Sequence, residues 1–124
     1  MNGFGRKIDN DIANKLLDGF KKKFIISDYD PYDQKRSRLL WCNLSYDAMS
    51  IPIENFQSIP LDKNSTVYFY NERLNEMYEA VFSEICKYVE GLEPWEEIDA
   101  EIFDTSYEWF IAVTHEDFLL LYGL

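Results

Sequence analysis

The densest group of residues able to do chemistry is a run of carboxylates. Glu93, Glu96, Glu97, Asp99, Glu101 and Asp104 fall within twelve residues, with Trp95 among them. Three chemistries use such groups. Asp99 and Glu101, on alternate positions of a strand, would share one face and could hold a hard cation such as Mg²⁺. Two carboxylates alone make a poor all-protein site, however, so a solvated acidic strand face is the better reading. Two carboxylates facing each other across a cleft can hydrolyse a glycoside. With 23 Asp and Glu in the chain, spacing alone selects no such pair. Unpaired carboxylates around a large aromatic can also receive the basic groups of a protein partner, with Trp95 as the anchor.

Other reactive residue types give less. His115 is the sole histidine and stands in a short polar segment with no nucleophile beside it, so it reads as an exposed turn residue rather than a general base. Cys42 and Cys86 are far apart, form no CxxC and read as small hydrophobes of a reduced protein. Residues 28–33 invite comparison with a calcium loop, but position six is Asp33 rather than Gly and position twelve is Leu39 rather than Glu. Asp and Pro there are turn chemistry. Gly3 and Gly5 precede no P-loop lysine pattern. No metal or cofactor is expected.

The elements that must position these residues follow from hydropathy. Ile8, Ile12, Leu16, Leu17, Phe20 and Phe24 recur at helical spacing, with Asp9 as N-cap and Lys21, Lys22 and Lys23 in the last turn. Gly19 is unfavourable inside that helix. Residues 38–46 alternate and read as a strand; residues 49–53 form a second, which Pro52 confines to an edge. Residues 66–70 are a compact strand. Residues 71–90 give the strongest helical stripe, from Leu74 through Met77, Tyr78, Val81, Phe82, Ile85, Tyr88 and Val89, between an Asn71 cap and Gly91. Ile98, Ala100 and Ile102 alternate with Asp99 and Glu101 as a half-exposed strand. Residues 107–113 and 118–122 are β-forming runs joined by Thr114-His115-Glu116-Asp117, a hairpin whose continuous apolar character places it inside the sheet. The expected fold is α+β: one domain over residues 1–124, with a mainly antiparallel sheet of about five strands and two helices packed on one face.

Charge narrows the partners. Residues 1–70 hold nine acids and ten Lys/Arg, net +1; residues 71–124 hold fourteen acids and two Lys/Arg, net −12. Such a field repels nucleic acid and anionic lipid and attracts basic surfaces. No apolar run is long enough to span a membrane and the first residues form no secretory signal, so a cytoplasmic location is expected.

A small, acidic α+β domain with no catalytic motif resembles the bacterial immunity proteins that neutralise cognate toxins of contact-dependent inhibition and related polymorphic toxin systems. The residues carrying the resemblance are the acid run from Glu93 to Asp104, the aromatic strand Tyr107-Glu108-Trp109-Phe110 and the closing Phe118-Leu119-Leu120-Leu121-Tyr122-Gly123. The resemblance is of character over the whole chain, without a matched motif. It implies a non-enzymatic protein that binds a basic toxin domain, often a nuclease. Glu93, Trp95, Glu96, Glu97, Asp99, Glu101 and Asp104 would form the contact surface. A regulatory module that dimerises through an edge strand and a small carboxylate-dependent hydrolase are the alternatives, and nothing in the pattern selects a monomer or a dimer.

Overall fold

The computed structural model describes residues 4–124. Seven strands form one antiparallel sheet: β1 (Arg6–Lys7), β2 (Met49–Pro52), β3 (Thr66–Asn71), β4 (Glu76–Val81), β5 (Ala100–Phe103), β6 (Phe110–Val113) and β7 (Phe118–Tyr122). Their order across the sheet is β1-β4-β3-β5-β6-β7-β2. Two helices pack against it, α1 (Asn10–Phe24) and α2 (Phe82–Glu90). The fold is thus α+β with an antiparallel sheet, as expected, but with seven strands rather than about five.

The helices lie on opposite faces of the sheet, not on one. Val67, Phe69, Ile102, Ile111, Val113 and Leu119 point to the side of Phe82, Ile85 and Val89 on α2. Met77, Phe103, Phe110 and Ala112 point to the side of Leu17, Phe20 and Phe24 on α1. Side chains alternate along a strand, so a sheet covered on both faces needs apolar residues at nearly every position. The strands β5 and β6 accordingly have every residue buried.

This double covering explains the main departure from the sequence pattern. Residues 71–90 are not one helix. Asn71 closes β3, a turn follows, β4 runs back beside β3, and only Phe82–Glu90 is helical. The chain reverses at Asn75, whose φ is 52°. Asn71 does accept a backbone N–H three residues on, from Leu74 at 3.3 Å, but it caps a turn rather than a helix. Met77 and Tyr78 are both buried because they face opposite cores, and adjacency of that kind mimics a helical stripe. Of the acids in residues 71–81, Glu72 sits in the turn and Glu76 and Glu79 on β4, where Glu79 meets Arg6 at 3.0 Å and Glu76 meets Lys7 at 3.5 Å.

Residues 38–46 are likewise not a strand. They contain a 3₁₀ turn, Leu40–Cys42, inside a loop of residues 26–43. The loop is closed at its neck by the Ile25–Leu44 bridge and by the Ile26 N–H donating to Asn43 O at 2.9 Å. The Asn43 side-chain amide donates to Ser37 O and Leu39 O, satisfying carbonyls that a ladder would have taken. Cys42 is exposed and Cys86 fully buried. Three expectations hold: α1 follows Asp9, which makes no side-chain capping bond, and carries the lysine triplet in its last turn, β2 is an edge strand containing Pro52, and β6 and β7 form an interior hairpin.

Gly19 also finds its reason. A β-carbon there would stand 2.4 Å from the Tyr107 ring, which packs on α1 while its hydroxyl donates to Leu16 O at 3.0 Å.

Candidate functional site

The sheet register brings the acid run into two quite different environments. Asn71 and Val113 flank Ala100 on β3 and β6, so Asp99 emerges between Glu72 of the β3–β4 turn and the Thr114–Asp117 turn. Glu101 lies one pleat further in, between Tyr70 and Ala112. The half-exposed strand expected from the alternation is therefore a wholly buried one: Asp99 and Glu101 are both 0 % exposed. The alternation was real, but the loop of residues 26–43 covers the polar side.

Asp99 is fully partnered. Its carboxylate accepts from Trp41 Nε1 at 2.8 Å, Arg73 Nε at 2.8 Å and the His115 backbone N–H at 3.2 Å. His115 Nδ1 lies 2.9 Å from Oδ1. Arg73 extends the pair outward to Glu97, Nη2 to Oε2 at 3.0 Å. His115 is thus not an incidental turn residue: the buried carboxylate fixes its ring, and Nε2 is left directed away from Asp99, 4.0 Å from Glu116.

Glu101 has the opposite character. Neither of its oxygens has a hydrogen-bond donor among the described residues. Its carboxyl lies against that of Glu72, which accepts the Leu40 backbone N–H on both oxygens at 3.0 and 3.1 Å. Burial first, and the Glu72 and Asp99 charges next, push the Glu101 carboxyl well above the usual carboxylate range. A neutral Glu101 would carry a donor of its own, with the Glu72 carboxyl beside it to accept. Cys42 stands beside the group; partial burial, and the charges of Asp99 and Glu72, push its thiol up, away from thiolate character.

The accessible part of the region is a cleft of about 440 Å³ beside α2. Five carboxylate residues line it: Glu54 after β2, Glu90 at the end of α2, Glu93 and Glu96 in the following loop, and Asp117 in the β6–β7 turn. His115 and Thr114 complete the polar side, and Ile53, Val89, Leu92 and Ile98 supply apolar wall. No Lys or Arg lines it. Glu93 and Glu96 hold their loop by a turn, the Glu96 N–H donating to Glu93 O at 2.9 Å and the Glu93 N–H to Glu96 Oε1 at 3.2 Å.

The seven residues expected to form one surface are therefore dispersed. Glu93 and Glu96 line the cleft. Trp95, 76 % exposed, and Glu97 lie on the surface nearby in sequence but outside its lining. Asp99 and Glu101 are buried and are not contact residues. Asp104 lies past the other end of β5, where it accepts from Ser106 and from Trp109 Nε1 at 3.2 Å. The residues that sequence reasoning missed, Glu54, Glu90, Asp117 and His115, come from three separate elements that only strand pairing assembles. Among the described residues no group of three His, Cys, Asp or Glu is placed to hold a metal ion. No helix among them is long and apolar enough to cross a membrane.

No protein-family model, curated protein or solved structure matches the chain.

Proposed function

We propose that this chain is a protein-binding domain of the immunity type, whose cleft receives a lysine or arginine from the active-site region of a basic toxin domain. One observation carries the reading: five carboxylates surround a cleft with apolar walls and no cation in its lining. A basic side chain has the same two parts, an aliphatic stem and a charged head. Trp95, largely exposed beside the cleft, is the aromatic anchor of the surface. The acidic half of the chain steers a basic partner towards this face and repels nucleic acid. The reading places the chain in the cytoplasm, where both free cysteines stay reduced.

The buried carboxyl pair does not favour hydrolysis as a second reading, because Glu101 has no exposed surface with which to meet a substrate.

The test uses a basic toxin nuclease domain, taken from the C-terminus of any large gene product found beside the gene for this chain. Association is followed at increasing ionic strength for the wild type and for Glu93→Lys/Glu96→Lys. The expected result is tight binding with an association rate that falls steeply with salt, and a further fall of ten-fold or more in the variant. Both proteins should unfold at the same temperature, since both sites are exposed. No binding, or binding indifferent to salt and to charge reversal, overturns the reading.

A further inference from the structure

Glu101 is a buried acid whose surroundings supply no countercharge in contact with it. From the residue just before β5 comes Asp99, from the β3–β4 turn Glu72, from β3 Tyr70, and from the loop of residues 26–43 come Tyr29 and Cys42. The three non-carboxylic groups are all pushed towards their neutral forms by burial, Tyr70 up to about 12. The nearby basic residues are engaged elsewhere or act on another group: Arg73 binds Asp99 and Glu97, the His115 ring is hydrogen-bonded to Asp99, Lys21 of α1 acts on Glu72, and Arg38 of the loop acts on Tyr29. The single favourable contact open to Glu101 is the one it makes as an acid, through its own proton, to Glu72.

The same Glu72 fastens the loop above. The loop of residues 26–43 is held by two hydrogen bonds, the Leu40 N–H on Glu72 and the Trp41 indole on Asp99, and by side-chain packing: buried Leu40, Trp41 against Phe118 and His115, and Ile26 and Tyr29 against the α1-side core. Its backbone makes no ladder with the sheet, and its neck is one isolated bridge. The strands on either side of Glu101, β3 and β6, are each bonded to two neighbours, whereas the loop has no such ladder.

We propose that the Glu72–Glu101 carboxyl pair is a proton-controlled latch on the loop of residues 26–43: one proton between the two groups lets the loop close over the sheet, and its departure to solvent releases the loop. With that proton lost, two carboxylates face each other with Asp99 beside them, Glu101 without any exposed surface and Glu72 only partly open to solvent. Lifting the loop hydrates Glu101 at the loss of the Leu40 and Trp41 hydrogen bonds and the packing around them, whereas hydrating it through the sheet would break strand pairing. The sign follows from linkage. Glu101 binds its proton more tightly with the loop closed, so closure is fully stable below the ordinary carboxylate range and weakens as pH rises through the raised value of the closed state. The latch acts on the face opposite α2 and operates whether or not the acidic cleft binds a toxin.

The test follows the Glu101 side-chain carboxyl carbon by NMR in the full chain from pH 4 to 9, together with hydrogen exchange of the Leu40 amide corrected for its intrinsic rate. Glu101 should remain a neutral acid above the ordinary carboxylate range. The Leu40 opening constant should then rise about tenfold per pH unit, the slope of one proton, while that of Phe69 in β3 stays level. In Glu101→Gln the amide N–H replaces the acid O–H towards Glu72 and cannot ionise, so the slope should vanish. Glu101 titrating in the ordinary range, a Leu40 opening constant independent of pH, or an unchanged slope in Glu101→Gln would each overturn the latch. Should Glu101→Gln fail to fold, the two wild-type measurements decide.

Discussion

Asp99 and His115 are joined twice: the buried carboxylate accepts the backbone N–H of His115 at 3.2 Å and lies 2.9 Å from its Nδ1. The contact ties the start of β5 to the β6–β7 turn, and through Trp41 and Arg73 it also reaches the covering loop and the β3–β4 turn. Four separate parts of the chain thus converge on one side chain that has no exposed surface. Replacing Asp99 by Asn keeps its shape but removes the charge and leaves the Arg73 guanidinium without its inner partner. Breaking a buried pair in this way costs about 3 kcal/mol, the lower end of the usual range because Arg73 is itself partly exposed. Urea denaturation measures the loss. Glu97→Gln removes the outer, exposed partner of the same arginine and should cost about 0–1 kcal/mol. Equal costs for the two would show that Asp99 is not the keystone described here.

Gly19 stands in the interior of α1, where Ala would ordinarily stabilise by about 1 kcal/mol. Here the Tyr107 ring occupies the place of the β-carbon, with its nearest atoms 2.4 Å from it. Gly19→Ala should therefore destabilise the protein, and Tyr107→Ala should reverse the sign of that effect. A thermal-unfolding double-mutant cycle reads the coupling. Additive effects would mean that the ring moves aside without cost. Tyr107 itself holds φ at 51°, an uncommon backbone for a bulky residue, so its place against α1 is imposed by packing and by the bond to Leu16 O.

Tyr78 donates to Glu76 at 2.6 Å. That bond, with burial second, pushes the Tyr78 hydroxyl up to about 12, and the same bond is the main cause holding the Glu76 carboxyl below its ordinary value. The tyrosine contribution to stability is complete below pH 10 and disappears as pH rises through about 12. The glutamate contribution is complete above the ordinary carboxylate value and disappears as pH falls through its lowered one. Tyr78→Phe should remove a tyrosinate absorbance step near 12 and return Glu76 towards its ordinary value by NMR titration. Loss of a step near 10 instead, with Glu76 unmoved, would show that the bond does not form in solution.

The hairpin of β6 and β7 was legible because its two apolar runs are separated by four polar residues, and α1 because its stripe is flanked by a cap and a basic end. The β4–α2 unit was not, since a strand between two cores and a helix on one core both place apolar residues next to each other. The turn at Asn75 leaves no strong mark in sequence: Glu72-Arg73-Leu74-Asn75 contains neither Gly nor Pro. Glu101 was read correctly as a strand residue, while Asp99 lies just before the strand and the exposure of both was misread. Exposure depends on the loop of residues 26–43, whose position is set by contacts more than thirty residues away in sequence, from Leu40 to Glu72 and from Trp41 to Asp99.

By itself, the sequence determined the class of fold, the interior hairpin, the edge position of the Pro52 strand and the accumulation of negative charge after residue 70. Each of these follows from composition or from periodicities of two and 3.6, which are local. Tertiary structure alone decided which carboxylates face water, which face each other and which hold a histidine. Glu93 and Glu96 joined Glu54, Glu90 and Asp117 around a cleft, whereas Asp99 and Glu101, a few residues on, were sealed beneath a loop. The physical reason is that a carboxylate's chemistry depends on its solvation and neighbours, and both are supplied here by strand register and by a covering segment distant in the chain.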